Sequence, residues 1–218
     1  MKDMTEPSAE RAAGDTTVGI LQGSRSTVLA QIGQRGVGAT IWQRRLPQAL
    51  SGWLGELSVD RLPSLREKVR VGEIAGCLRA ACAEAGTPDD PMRDVLIEDI
   101  TRLGGLFSDM MGAPRLRLRL DAIQGDACTR FHVDTLRARM LCTYRGPGTQ
   151  FALGAPGSDP EVPVTDAGTG SVVLMRGKLW PGHEMPGVLH RSPPISGTGQ
   201  TRLVLVFDPV EDTELVWH

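Results

Sequence analysis

The chain has 218 residues, an apolar share of 40% and a net charge of −2, which is the make-up of an ordinary globular protein. The near-neutral charge excludes a strong non-specific pull towards nucleic acid or anionic membranes. An aromatic content of 4% argues against a base-stacking platform, so nucleic acid is not an expected partner.

The polar N-terminus, Met1 to Thr17, has no apolar core of a secretory signal, and no stretch is long and apolar enough to span a bilayer. The expectation is a cytoplasmic protein with no membrane partner. Residues 1–39 read as a disordered or irregular segment with at most one short strand. Helical spacing then begins. Leu46, Leu50, Trp53, Leu54 and Leu57 share one helix face, and Val71, Ile74, Ala75, Leu78 and Cys82 share another. A third helix opens with Asp90 as N-cap and Pro91 at its first position. Its stripe runs through Val95, Leu96, Ile100, Leu103, Phe107 and Met110, with Gly112 and Pro114 as its stop. Residues 40–112 thus form a helical part.

At Arg115 the period changes to two. Arg115-Leu116-Arg117-Leu118-Arg119-Leu120 alternates as a strand with one wet and one buried face. Short apolar segments separated by Gly, Pro and Asp follow: Ala138 to Tyr144, Thr149 to Leu153, Ser171 to Met175, Gly187 to Arg191 and Thr201 to Phe207. Residues 113–218 read as a sandwich or barrel, giving an α+β chain with its helices packed on a β core.

Candidate chemistry begins at Phe131-His132-Val133-Asp134. In an extended chain His132 and Asp134 point to one side and can reach one ion together. Among the remaining histidines, His190 ends an apolar strand before Pro193-Pro194, whereas His183 and His218 read as exposed. Two imidazoles and a carboxylate on one face of a metal leave three positions open, the arrangement of non-haem Fe(II) oxygenases, although zinc, manganese or nickel also fit such ligands. Arg202 opens the apolar strand Leu203 to Phe207, and a hairpin returns it towards His190. A guanidinium in such a place needs an anion, and its fork suits a carboxylate. The plain alternative pairs Arg202 with Asp208 or Glu211.

In order, His132-x-Asp134, His190 and Arg202 resemble the Fe(II)/2-oxoglutarate-dependent oxygenases. Arg139 to Tyr144, Gly146-Pro147-Gly148-Thr149 and Gly170 to Met175 are similar to the segments between those residues in that superfamily. The Gly-Pro-Gly-Thr and His-Arg-Ser-Pro-Pro motifs also resemble a bacterial family defined by domain of unknown function 1826, over roughly residues 40–210. The resemblance implies a double-stranded β-helix (jelly-roll, cupin-like) core. It implies Fe(II) on His132, Asp134 and His190, and 2-oxoglutarate as co-substrate with its distal carboxylate on Arg202. Tyr144 would donate a hydrogen bond to the same co-substrate. A contrasting reading is a non-catalytic metal-binding barrel serving zinc homeostasis or sensing.

Three further features have two readings each. Arg115, Arg117 and Arg119 form either a solvated strand face or, with Arg137, Arg139 and Arg145, a site for a small anionic substrate or partner near the barrel mouth. Trp180 and Pro181 form either a lid or a cover for the barrel end. Cys77, Cys82, Cys128 and Cys142 contain no CxxC pair and read as small buried hydrophobes.

Overall fold

The computed structural model describes residues 16–17, 19–154, 161–182 and 184–211. Three helices carry one side of the molecule: α1 (Gln48–Glu56), α2 (Ile74–Glu84) and α3 (Pro91–Met111). The start of α3 follows from its sequence, since the Asp90 side chain accepts from the Met92 N–H at 2.7 Å. Gly112 stops it in the left-handed conformation (φ 58°). Its buried face is Leu96, Ile97, Ile100, Leu103, Gly104, Phe107 and Met111. Gly104 is a packing requirement, because a Cβ there would run into the Ile74 side chain and lie 3.1 Å from the Phe207 ring.

The described residues contain twelve strands, in chain order β1 (Thr16–Thr17), β2 (Gly19–Gly23), β3 (Val37–Trp42), β4 (Leu65–Arg70), β5 (Arg115–Ile123), β6 (Ala138–Arg145), β7 (Gln150–Leu153), β8 (Glu161–Asp166), β9 (Val172–Arg176), β10 (Met185–Pro186), β11 (Val188–Arg191) and β12 (Arg202–Pro209). Seven form one sheet in the order β2-β3-β9-β6-β12-β5-β4, antiparallel except at β2–β3. A second sheet has the order β11-β7-β8, and β1 pairs with β10.

Strand alternation divides the interior into two cores. Leu116, Leu118, Leu120, Met140, Cys142, Tyr144, Leu203, Leu205 and Phe207 pack towards the helices. Val204, Val206, Leu141, Val173 and Met175 project from the other face and meet Phe151 and Val188 of the smaller sheet. The architecture is thus mixed α and β around a sheet-rich core.

The N-terminal half is less helical than its spacing predicts. Strand β4 lies between α1 and α2, and β2, β3 and a 3-10 helix at Ser26–Gly33 occupy the segment expected to be irregular. Leu65-Arg-Glu-Lys-Val-Arg carries only two apolar residues, so its strand state comes from pairing with β5 rather than from its own pattern. The break expected near residue 113 does not divide the packing, because the helix-side core draws residues from both sides of it. Among the described residues, no helix is long and apolar enough to cross a membrane.

Candidate metal centre

The loop between β5 and β6 brings His132 against His190 on β11. The two backbones form an isolated antiparallel bridge, His132 N to His190 O at 3.1 Å and His190 N to His132 O at 3.0 Å. Directly opposed residues carry their side chains to the same side, so the two rings lie 4.4 Å apart between centroids. Asp134 stands two positions beyond His132 and turns its carboxylate to the same point. Its Oδ2 is 3.2 Å from His190 Nε2 and its Oδ1 is 3.6 Å from His132 Nε2. One ligand atom from each of the three lies within 4.8 Å of the others.

Neighbouring groups fix this arrangement. The carbonyl of Arg130 lies 2.8 Å from His132 Nδ1, which leaves Nε2 to face the carboxylate. Behind Asp134, the backbone of residues 177–179 bonds to the 134–137 segment, with the Lys178 N–H on the Asp134 carbonyl at 2.9 Å. Only a glycine permits that approach at 177, since a Cβ would overlap the Leu136 carbonyl.

Burial alone would raise the Asp134 carboxyl. The hydrogen bond and charge of His190, with the charges of Arg139 and His132, outweigh it and hold the group at about 2. Burial depresses His190 below its ordinary value despite the attraction of Asp134, which favours the neutral, metal-binding imidazole.

Arg139 is the partner that the sequence does not reveal as such. Its Nη1 donates to Asp134 Oδ2 at 2.7 Å, while Nε and Nη2 grip Asp208 at 2.7 and 2.8 Å. The signal was present in β6 itself: Arg139 and Leu141 alternate with Ala138, Met140 and Cys142, so 139 must face the site.

The rings open into a cavity of about 520 Å³ whose lining includes His132, His190, Arg139, Thr149 and Arg202. Arg202 is buried, 1% exposed. Its Nε donates to the Pro147 carbonyl at 2.8 Å, while its buried Nη2 has no partner among the described residues. Burial lowers its guanidinium to about 10, with only Asp166 pulling the other way. Asp208 and Glu211 do not pair with it. They hold Arg139 and Arg137 instead.

Tyr144 is a correction. It shares the parity of Met140 and Cys142, points into the helix-side core, and donates to Asp99 on α3 at 2.6 Å. It is therefore remote from any co-substrate in the cavity. Arg137 and Arg145 are likewise structural, donating to Met111 O, and to Leu54 O and Leu57 O. Trp180 packs against the helix-side core under the Arg176 guanidinium and does not line the cavity. Cys82 and Cys142 are buried, but Cys128 is exposed at the cavity wall. His183 and His218 lie outside the described residues.

Residues 23–208 match the model of a family described as protein of unknown function (DUF1826). The chain belongs to this family. Among curated proteins, none matches the DUF1826 chain. Its fold is similar to that of the rice dioxygenase for auxin oxidation, with TM-score 0.51 and 14% identity over 90% of this chain and 84% of that one. It is similar also to dioxygenase for auxin oxidation 1 from Arabidopsis thaliana in its binary complex with 2-oxoglutarate, with TM-score 0.53 and 10% identity over 90% and 94%. At such identities the likeness is one of fold: this DUF1826 protein shares the architecture of known dioxygenases.

Proposed function

We propose that the protein is an Fe(II)/2-oxoglutarate-dependent oxygenase, of hydroxylase or demethylase type, on a double-stranded β-helix. His132, Asp134 and His190 would hold the iron, and Arg202 would hold 2-oxoglutarate. The observation that carries this proposal is Arg202. A metal holder has no need of a buried guanidinium with an open Nη2 in the same cavity as its ligands, whereas a dicarboxylate co-substrate supplies the missing anion.

The donor set fits the ion, with two imidazole nitrogens and one carboxylate on one side and a cavity on the other. Bound iron would supply dioxygen activation, coupled to loss of carbon dioxide from 2-oxoglutarate. One oxygen atom would enter succinate and the other a substrate C–H bond. The protein's own share is positioning. Arg139 engages Asp134 Oδ2, which leaves Oδ1, on the His132 side, as the freer oxygen for a metal. Arg202 orients the co-substrate through its far carboxylate, so that its keto-acid end faces the histidines. Leu141, Val204 and Val206 line the cavity with aliphatic surface and limit water near the reacting atoms.

The test is turnover without substrate. Purified protein given Fe(II) and 2-oxoglutarate should release succinate slowly, and Arg202→Ala and Asp134→Ala should each abolish the release. Binding of zinc alone, with no 2-oxoglutarate bound, would replace the proposal with the non-catalytic zinc-holding barrel.

A further inference from the structure

Arg119 on β5 is a second guanidinium in the cavity wall that lacks a close counter-ion. In the sheet it stands opposite Val206, while Arg202 stands opposite Ile123, four residues further along β5. Opposed residues point to one side, so both arginines project from the sheet face that the cavity covers. At about 3.3 Å per residue their backbones are about 13 Å apart, and the two groups mark different ends of one cavity. A co-substrate anchored at Arg202 therefore leaves Arg119 for another ligand. The Arg119 side chain is 29% exposed, so a ligand can reach it.

Among the described residues its one ion pair is long, 3.6 Å to Asp208 Oδ2. That carboxylate is already engaged at both oxygens by Arg139, at 2.7 and 2.8 Å. Asp121, two residues along β5, takes Arg66 at 3.0 Å instead. Asp134 also receives Arg139, and it belongs to the candidate metal ligands. Arg66, Arg119 and Arg139 thus share two carboxylates outside the metal centre, Asp121 and Asp208, and one positive charge is left over at Arg119. Burial and the neighbouring Arg139 lower its guanidinium, although Asp208 and Asp121 pull the other way. The other charged groups of the wall are taken up elsewhere: Gln150 accepts from Arg191 at 2.8 Å, and Asp126 accepts from the Ile195 and Ser196 N–H groups.

We infer that Arg119 anchors the carboxylate of an aliphatic acid substrate, whose chain lies across Val206 and Leu141 towards the three candidate metal ligands. One leftover charge matches a monoanion, and the guanidinium fork matches a carboxylate at two points. Val206 stands opposite both Arg119 and Leu141 in the sheet, so an apolar surface begins directly beside the guanidinium. The Asp208 carboxylate and the Arg139 guanidinium stand between Arg119 and Asp134. An acid on Arg119 is thereby held short of the metal centre, and a carbon further along its chain comes to face it. The inference deepens the oxygenase proposal: binding of the acid stands on Arg119 alone, and oxidation of its chain rests on that proposal.

The experiment is isothermal titration of the full chain with Zn(II) added and without 2-oxoglutarate. Zinc suits the three ligands under either reading of the site. The probes are hexanoate, hexanamide and hexyl phosphate. Hexanoate should bind and hexanamide should not. Arg119→Gln should weaken hexanoate binding at least about tenfold. Arg119→Lys, which keeps the charge and loses the fork, should weaken it about threefold. Should Arg119→Gln fail to fold, Arg119→Lys carries the test. Equal binding of hexanoate and hexanamide, undiminished binding by the folded variant, or tighter binding of hexyl phosphate would each overturn the inference. A loss seen with Arg202→Met and not with the Arg119 variants would overturn it too, since the acid would then sit at the other end of the cavity. Absence of succinate release would end the oxygenase proposal and leave a positive binding result intact, so the two fail separately.

Discussion

Replacing Arg202 by Met should push stability and co-substrate binding in opposite directions. The side chain is buried and its guanidinium is held at about 10 against an ordinary 12.5. Keeping it charged at neutral pH therefore costs up to about 3 kcal/mol. Water in the open cavity and the lost bond to the Pro147 carbonyl each take about 1 kcal/mol from the gain on removal. Arg202→Met should then be more stable by roughly 1 kcal/mol without ligand, a rise of about 2–4 °C in melting temperature for a chain of this size. Two charge-assisted hydrogen bonds to a carboxylate, at about 1.5–3 kcal/mol each, would be absent from the complex. Affinity for 2-oxoglutarate should fall by roughly 10²–10⁴-fold. Thermal melts with Mn(II) in place of iron, with and without 2-oxoglutarate, read both quantities in one experiment. Parent protein should show a large ligand-induced rise, and the variant a higher baseline with almost no rise. A variant that melts lower than its parent, or that gains as much from 2-oxoglutarate, would refute the idea that this guanidinium awaits an anion.

Tyr144→Phe should leave 2-oxoglutarate affinity unchanged and lower stability by about 1 kcal/mol through loss of the bond to Asp99, as urea unfolding would report. Asp99 also takes two bonds of 2.6 Å from Arg44; although burial would raise its carboxyl, these partners hold it at about 2. Its folded value is depressed, so its stabilisation, on the order of 2 kcal/mol, is present at neutral pH and drains away as pH falls from about 4 to 2. Asp99→Asn should flatten that part of the stability–pH curve while costing about 3 kcal/mol at pH 7, because Arg44 stays buried without its counter-charge. Gly104→Ala should destabilise by roughly 1–3 kcal/mol, since the new methyl meets Ile74 and Phe207, and calorimetry should show it despite the better helix propensity of alanine.

Legibility in the sequence followed the range of the interactions. The α3 stop and start signals are local chemistry of Asp90, Pro91 and Gly112, and they fall where the sequence places them. Arg115 to Leu120 alternates strictly and forms a strand with its leucines buried. The three candidate ligands converge because each signal is short: an i, i+2 pair, and a histidine ending an apolar strand. Strand β4 escaped because its partner β5 lies far along the chain and its own pattern is weak. Resemblance places Tyr144 at the co-substrate, whereas strand parity, counted from Met140 and Cys142, assigns it to the helix side. The sequence groups Arg139 with Arg115, Arg117, Arg119, Arg137 and Arg145 as an anion site, and its tie to Asp134 and Asp208 is a tertiary fact.

The backbone bridge between His132 and His190 makes the two imidazoles neighbours through main-chain bonds that no side-chain replacement except proline deletes. With a divalent ion bound as proposed, stripping it with a chelator should therefore leave a standing socket rather than a collapsed loop, and refilling it should require no refolding. A socket of that kind, with ligands that several divalent ions share, takes its occupant from the relative supply of those ions around it.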